Sequence, residues 1–506
     1  MSLSRVYSAE LEGIHGKLIE VEVDLNVGLH SFNIVGLADK ALSEAKERVS
    51  SALKNTGVRP PNKENRKITV NLAPADIKKT GSQYDLAIAI GYLLASEQIK
   101  PIETRKRIFL GELALNGEVR PISGALNFAR LAKSSGFKEI FISAKNAPES
   151  ALVTGIKVYP VPDLSTLINH LENTNPINAL SPTKFRPSAK SKVDLREIKG
   201  QHFAKRALAV AAAGGHNILM SGPPGSGKTM LAEAINSILP PLTLDEAIEI
   251  SEVWSSAGLL KENYISDRPF RAPHHSASPV SVVGGGPNIR PGDISLAHRG
   301  VLFLDELPEF RRDILEALRQ PLESGSMTVS RAKGHLTFPA RFTLVAAMNP
   351  CPCGYFGDAD KKCECSAYEV FRYQKKVSGP LLDRIDIQIT VPRMKISELK
   401  SAPNNSDDGA RLAIKNAREA QKKRFKKSRR GILTNSEMSS KDCEELIKLT
   451  SAAEEFIKKI FDKSMLSTRG YYRLLKTAQT IADLDASAEV KDTHIAEAFQ
   501  LRLKES

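Results

Sequence analysis

The chain has 506 residues, 41% of them hydrophobic and 26% charged, with a formal net charge of +14. These proportions exclude a disordered or fibrous protein and predict about three globular domains, with a basic surface suited to a polyanionic partner. No apolar run reaches the ~18 residues of a membrane span, and the opening MSLSRVYSAELEGIHG lacks the apolar core of a signal peptide, so a cytoplasmic location is expected.

In chain order, KLIEVEVDL (17–25) and RKITVNLA (66–73) alternate with a period of two and predict strands. DKALSEAKERVSSALKNTG (39–57) predicts a helix closed by glycine, and LAIAIGYLLA (86–95) a core helix. ENTNPINALSPTKFRPSAKSK (172–192) is rich in Pro, Asn and Ser and predicts a linker. From 193 to 395 strands and helices alternate again, with long glycine-rich insertions. From 396 onward DGARLAIKNAREAQKKRF, CEELIKLTSAAEEFIKKIF, STRGYYRLLKTAQTIADL and KDTHIAEAFQLRL predict helices. The expected domains are 1–171, 193–395 and 396–506.

HNILMSGPPGSGKTMLAEAI is an apolar strand, a glycine loop and a helix start. Gly222, Pro223, Pro224, Gly225, Ser226, Gly227, Lys228 and Thr229 fit the phosphate-loop pattern. The loop amides and the positive end of the helix cradle phosphate, Lys228 reaches the β- and γ-phosphates of ATP, and Thr229 ligates Mg²⁺. GVLFLDELPEF places Asp305 and Glu306 after an apolar strand. Asp305 is expected to hold Mg²⁺ and Glu306 to activate the attacking water. FTLVAAMNP is a further buried strand, ending at Asn349, whose amide is suited to orient that water.

Three strand ends converging on one nucleotide resemble the AAA+ ATPases. GPLLDRIDIQITVP is similar to their arginine-finger box, which implies that Arg384 reaches ATP on a neighbouring subunit. STRGYYRLLKTAQTIADL is similar to the sensor-2 helix, with Arg469 the matching arginine. Seventy-five residues lie between Thr229 and Asp305, and RPFRAPHHSASPVSVVGGGPNIRPGDISLAHRG within them resembles the helix-2 insert of the magnesium-chelatase branch. LESGSMTVSRAKGHLTFPARF (322–342) resembles the hairpin before sensor 1, and 396–506 the helical lid of that branch. Residues 1–171 resemble the Lon-protease domain. KKTGSQYDLAIAIG and GELALNGEVRPISGALNFA match its two catalytic segments, with Gln83 at the nucleophile position, beside Ser82, and Leu126 at the lysine position. Leu126 cannot activate a hydroxyl, so a non-proteolytic scaffold is expected.

The whole chain therefore resembles the YifB/ComM family. The implied fold is α/β: a Lon-like α+β domain, an AAA+ parallel-sheet module and a helical lid. The resemblance implies a homohexameric, ATP-driven helicase, assembled or stabilised by ATP and DNA. It would move single-stranded and branched DNA without sequence preference during natural transformation, alongside recombination proteins. A chelatase motor subunit and a protein remodeller are the alternatives. The Lon-like domain weighs against the first, and Gln83 and Leu126 against coupled proteolysis.

Arg331, Lys333, His335 and Arg341 give the hairpin a basic face for DNA phosphates, and QKKRFKKSRRG (421–431) is a second basic run. Finally, NPCPCGYFGDADKKCECS holds Cys351, Cys353, Cys363 and Cys365, four of the chain's five cysteines. Structural Zn²⁺, free buried thiols and redox-active thiols are the readings, with zinc preferred for four ligands in one short loop.

Overall fold

The computed structural model describes residues 3–36, 42, 44–61, 65–188, 193–286, 289–331, 334–358, 360–394, 407–426, 431–464 and 467–502. The chain divides into two compact units, each discontinuous in sequence.

The first unit comprises Met1–Arg186 and Leu244–Ile265. Its seven-stranded sheet has the order β3-β4-β2-β1-β5-β8-β9. These strands are β1 (Leu3–Glu12), β2 (His15–Val27), β3 (Ser31–Val35), β4 (Arg66–Ala73), β5 (Arg107–Leu110), β8 (Glu139–Ser143) and β9 (Lys157–Val161). A separate ribbon pairs β6 (Glu112–Leu113) with β7 (Val119–Arg120). Side chains alternate across the sheet, so each face has its own core. Phe109 and Phe141 face one way, against helices Ala45–Asn55 and Asp85–Ala95. Ile108, Leu110, Ile140 and Ile142 face the other, against helix Ala125–Ser134.

Two features depart from a chain-order division. The expected linker is bonded to the first unit as far as Arg186: Leu180 N donates to Val158 O at 2.8 Å and Thr183 N to Ala151 O at 3.0 Å. Helix Leu244–Ser256, expected inside the ATPase module, also packs in the first unit. There Arg130 Nη1 meets Glu252 Oε2 at 2.5 Å, and Ser255 Oγ donates to Glu149 Oε1 at 3.1 Å. Burial raises the Glu149 carboxyl to about 7.

The second unit holds a five-stranded parallel sheet of order β11-β14-β17-β10-β18. The strands are β10 (Ile218–Ser221), β11 (Phe270–Arg271), β14 (Val301–Leu304), β17 (Thr343–Met348) and β18 (Ile387–Thr390). β14 and β17 are buried throughout, as a sheet covered on both faces requires. Two ribbons flank it: β12 (Gly284–Gly285) with β13 (Arg290–Pro291), and β15 (Ser326–Arg331) with β16 (Gly334–Pro339). The predicted lid helices lie at Asp407–Phe425, Thr468–Leu484 and Asp492–Gln500, while CEELIKLTSAAEEFIKKIF falls into two helices, Ser440–Leu446 and Ser451–Ser464. Lid residues Ala453, Leu474 and Ile495 share one apolar cluster with Ile218 and Val345 of the sheet. No helix among the described residues is long and apolar enough to cross a membrane.

Candidate functional site

The strand order places β17 between β10 and β14, so the phosphate loop, Asn349 and the acids emerge side by side at one sheet end. Gly222 N donates to Met348 O at 3.2 Å, tying the loop to β17. A Cβ on Gly222 would lie 2.2 Å from Val391 O, so only glycine fits there. Gly225 and Gly227 have φ of +77° and +89°, the left-handed turns the loop needs. Pro223 O accepts from Ser226 N at 3.3 Å.

Lys228 opens helix Lys228–Ile238. Its buried Nζ donates to Gly222 O at 2.7 Å, Pro223 O at 2.9 Å and Asn349 Oδ1 at 3.3 Å. Burial lowers its pKa, and Asp305 opposes that shift. A cation held only by neutral oxygens, at the start of an eleven-residue helix, suits a phosphate chain. Thr229 Oγ1 donates to Asp305 Oδ2 at 2.9 Å, which brings together the two groups that would hold Mg²⁺. The residues thus fit Mg·ATP.

Glu306 has φ +52°, an uncommon conformation for a non-glycine residue, fixed by its own amide donating to Asp305 Oδ1 at 2.9 Å. His275, from the insert, meets Glu306 Oε2 at 3.2 Å. Sequence reading passed over His275; the signal was the His-His pair in FRAPHHSAS.

Arg384 and Arg469 converge on one carboxylate rather than on the phosphate loop of this chain. Arg384 Nη2 meets Glu323, Arg384 Nη1 donates to Pro380 O at 2.8 Å, and Arg469 Nη2 lies 3.7 Å from Glu323 Oε1. Glu323 was not anticipated. Neither was Arg473, one turn beyond Arg469, whose Nε lies 3.9 Å from Asp386 Oδ1 and whose buried Nη1 has no partner among the described residues.

The DNA candidates are placed unequally. The hairpin register runs to Arg331↔Gly334, but the Arg331 side chain and Lys333 lie outside the described residues. His335 is exposed. Arg341 lies beyond the hairpin, with Nη1 3.4 Å from Glu437 Oε2 and 3.3 Å from Gly431 O, so its charge is already engaged. In the second basic run Gln421 is buried, Arg424 pairs with Asp483, and Phe425 is core; residues 427–430 lie outside the described residues. The four clustered cysteines are free thiols with their sulfurs within 4.8 Å of one another.

In the first unit, Gln83 Nε2 donates to Thr80 O at 2.7 Å and to Glu10 Oε2 at 3.1 Å. Ser82 Oγ bonds Glu112, and Leu126 is fully buried. Lys79 is turned onto Pro74 O. Among these groups no basic nitrogen bonds Ser82.

A parallel sheet of this order, with a phosphate loop, paired acids and a polar strand end between them, defines an AAA+ ATPase of the magnesium-chelatase type. Family comparison agrees: "Magnesium chelatase, subunit ChlI" matches residues 194–399, "Subunit ChlI of Mg-chelatase" 21–146, and "Magnesium chelatase, subunit ChlI C-terminal" 405–502. The chain is 42% identical to competence protein ComM of Haemophilus influenzae, across 99% of this chain and 98% of that one. It is 41% identical to protein YifB of Escherichia coli, across 99% and 97%. A shorter match, 28% identical across 34% of this chain, is to Lon protease 2 of Bacillus subtilis, of which it covers 32%. The chain belongs to the YifB/ComM family.

Proposed function

We propose that this protein is an ATP-driven, ring-forming DNA motor that moves branch points in recombining DNA, in the cytoplasm, during uptake of external DNA. The observation that carries the reading is the convergence of Arg384 and Arg469 on Glu323, away from the phosphate loop of their own chain. Neither arginine reaches the phosphate loop of its own chain, so in this reading each leaves Glu323 for ATP on a neighbouring subunit, and a homohexamer supplies such an interface at every site. The similarity to a competence protein over nearly all of both chains supports DNA as the substrate.

At each site the loop amides and Lys228 bind the phosphate chain, while Thr229 and Asp305 would hold Mg²⁺, which would supply positive charge against the phosphates. Asn349 orients water and Glu306 takes its proton. Arg384 and Arg469 offset charge spread over the phosphoryl oxygens. The hairpin basics Arg331 and Lys333, repeated around a ring, contact DNA phosphates. Cys351, Cys353, Cys363 and Cys365 would hold Zn²⁺ as a structural ion.

The test is strand exchange on a synthetic four-way junction, with ATP hydrolysis followed in the same reaction. ATP-dependent exchange with hydrolysis stimulated by DNA is expected. Hydrolysis indifferent to DNA, without exchange, would overturn the reading. Stimulation by an unfolded polypeptide instead would point to a remodeller.

A further inference from the structure

Three sulfur separations in the cysteine group are 3.3 Å (Cys351–Cys353), 3.7 Å (Cys351–Cys363) and 3.6 Å (Cys353–Cys363). A disulfide needs about 2.05 Å. Four sulfurs placed ~2.3 Å from a central ion form a tetrahedron with edges of about 3.8 Å. The spacing fits a shared ion, not a bond. Phe356 N also donates to Cys351 Sγ at 3.3 Å, which fixes that sulfur within the loop.

The loop carrying these thiols touches the nucleotide site. Only Pro350 separates Asn349 from Cys351. Gly354, at φ +85°, lies directly against the phosphate loop: a Cβ there would be 2.6 Å from Pro224 Cδ and 3.9 Å from Asn349 Cγ. Between β17 and helix Ala367–Gln374 the described chain has turns but no strand or helix to hold that contact. A cross-link through four side chains would hold it.

We infer that Cys351, Cys353, Cys363 and Cys365 bind one Zn²⁺ whose work is to press Gly354 against Pro224, so that metal occupancy sets the affinity for ATP. The inference rests on residues 222–229 as the ATP site, and not on DNA as the substrate. Four thiolates in a tetrahedron select zinc or iron, and the absence of colour separates the two.

The experiment measures metal content after purification without added metal, and affinity for a fluorescent ATP analogue, in three proteins. Wild type is expected to hold about one zinc per chain. Cys363→Ser with Cys365→Ser is expected to lose the zinc and bind the analogue at least about fivefold more weakly. Gly354→Ala retains every thiol; it is expected to keep zinc and show the same loss of affinity, which separates the brace from general unfolding. Fewer than about 0.2 zinc per chain with four freely titrating thiols, or iron in its place, would overturn the metal site. Zinc present, with unchanged affinity in both variants, would overturn the brace. Wild type that binds zinc and ATP but ignores DNA would leave this inference standing and remove the DNA reading.

Discussion

In the proposed mechanism Glu306 and Lys228 act on the same nucleotide by different physics, so their variants should separate. Lys228→Ala removes the buried cation and should abolish measurable ATP binding in a filter assay. Glu306→Gln keeps shape and hydrogen bonding but cannot take a proton. Binding should persist while hydrolysis falls at least about a hundredfold, the usual contribution of a positioned base; equal rates in this variant and wild type would remove Glu306 from the role. His275→Ala should alter hydrolysis more than ATP affinity, because its contact is to Glu306 and not to the phosphate loop. Lys228, Thr229, Asp305 and Glu306 were legible because phosphate cradling and acid pairing demand contiguous residues after apolar strands. Glu323, His275 and Arg473 were not. Their partners stand far away in sequence, and a lone Glu, His or Arg carries no local pattern.

Among the elements, the β15–β16 hairpin and helix Leu244–Ser256 make separate predictions. If the hairpin lines a DNA channel, Arg331→Ala with Lys333→Ala should weaken binding equally across sequences. It should also flatten the log–log salt slope by about 0.7–0.9 per lost phosphate contact, read from titrations at several salt concentrations. An unchanged slope would move the contacts elsewhere on the chain. The helix should respond to pH through Glu149, whose carboxyl is buried beside Ser255 and raised to about 7. A raised acid stabilises the packed state below its unfolded value near 4.5 and loses that contribution as pH climbs to 7. The shift corresponds to about 3 kcal/mol. Amide protection along Leu244–Ser256, corrected for intrinsic exchange, should therefore fall between about pH 4.5 and 7, and Glu149→Gln should make the fall shallower, leaving the share of Glu252, which burial also raises to about 7. The helix falls within 193–395, the stretch expected to form the ATPase module, and nothing local marked its partner in the first unit. The ion pair Arg130–Glu252 that holds it joins residues 122 positions apart. Similarly, Pro and Asn made 172–186 read as linker, although its backbone bonds to β9 and to Ala151.

For the whole molecule, the two arginines on Glu323 predict complementation between defective chains. Arg384→Ala and Lys228→Ala should each be inactive alone. Mixed, they should regain part of the hydrolysis, since some interfaces then combine an intact phosphate loop with an intact arginine. Mixed rings without recovery would place Arg384 in a structural role.

The discontinuous first unit also constrains synthesis. Its sheet ends at Val161, yet its last helix begins at Leu244, after the phosphate loop has been made. At roughly 5–20 residues per second, the ribosome would take several seconds between Arg186 and Ile265. During that interval the apolar and acidic surface around Ala125–Ser134 and Glu149 waits without its covering helix. The order of translation thus gives the nascent chain an exposed surface in its first unit until the second unit is already under construction.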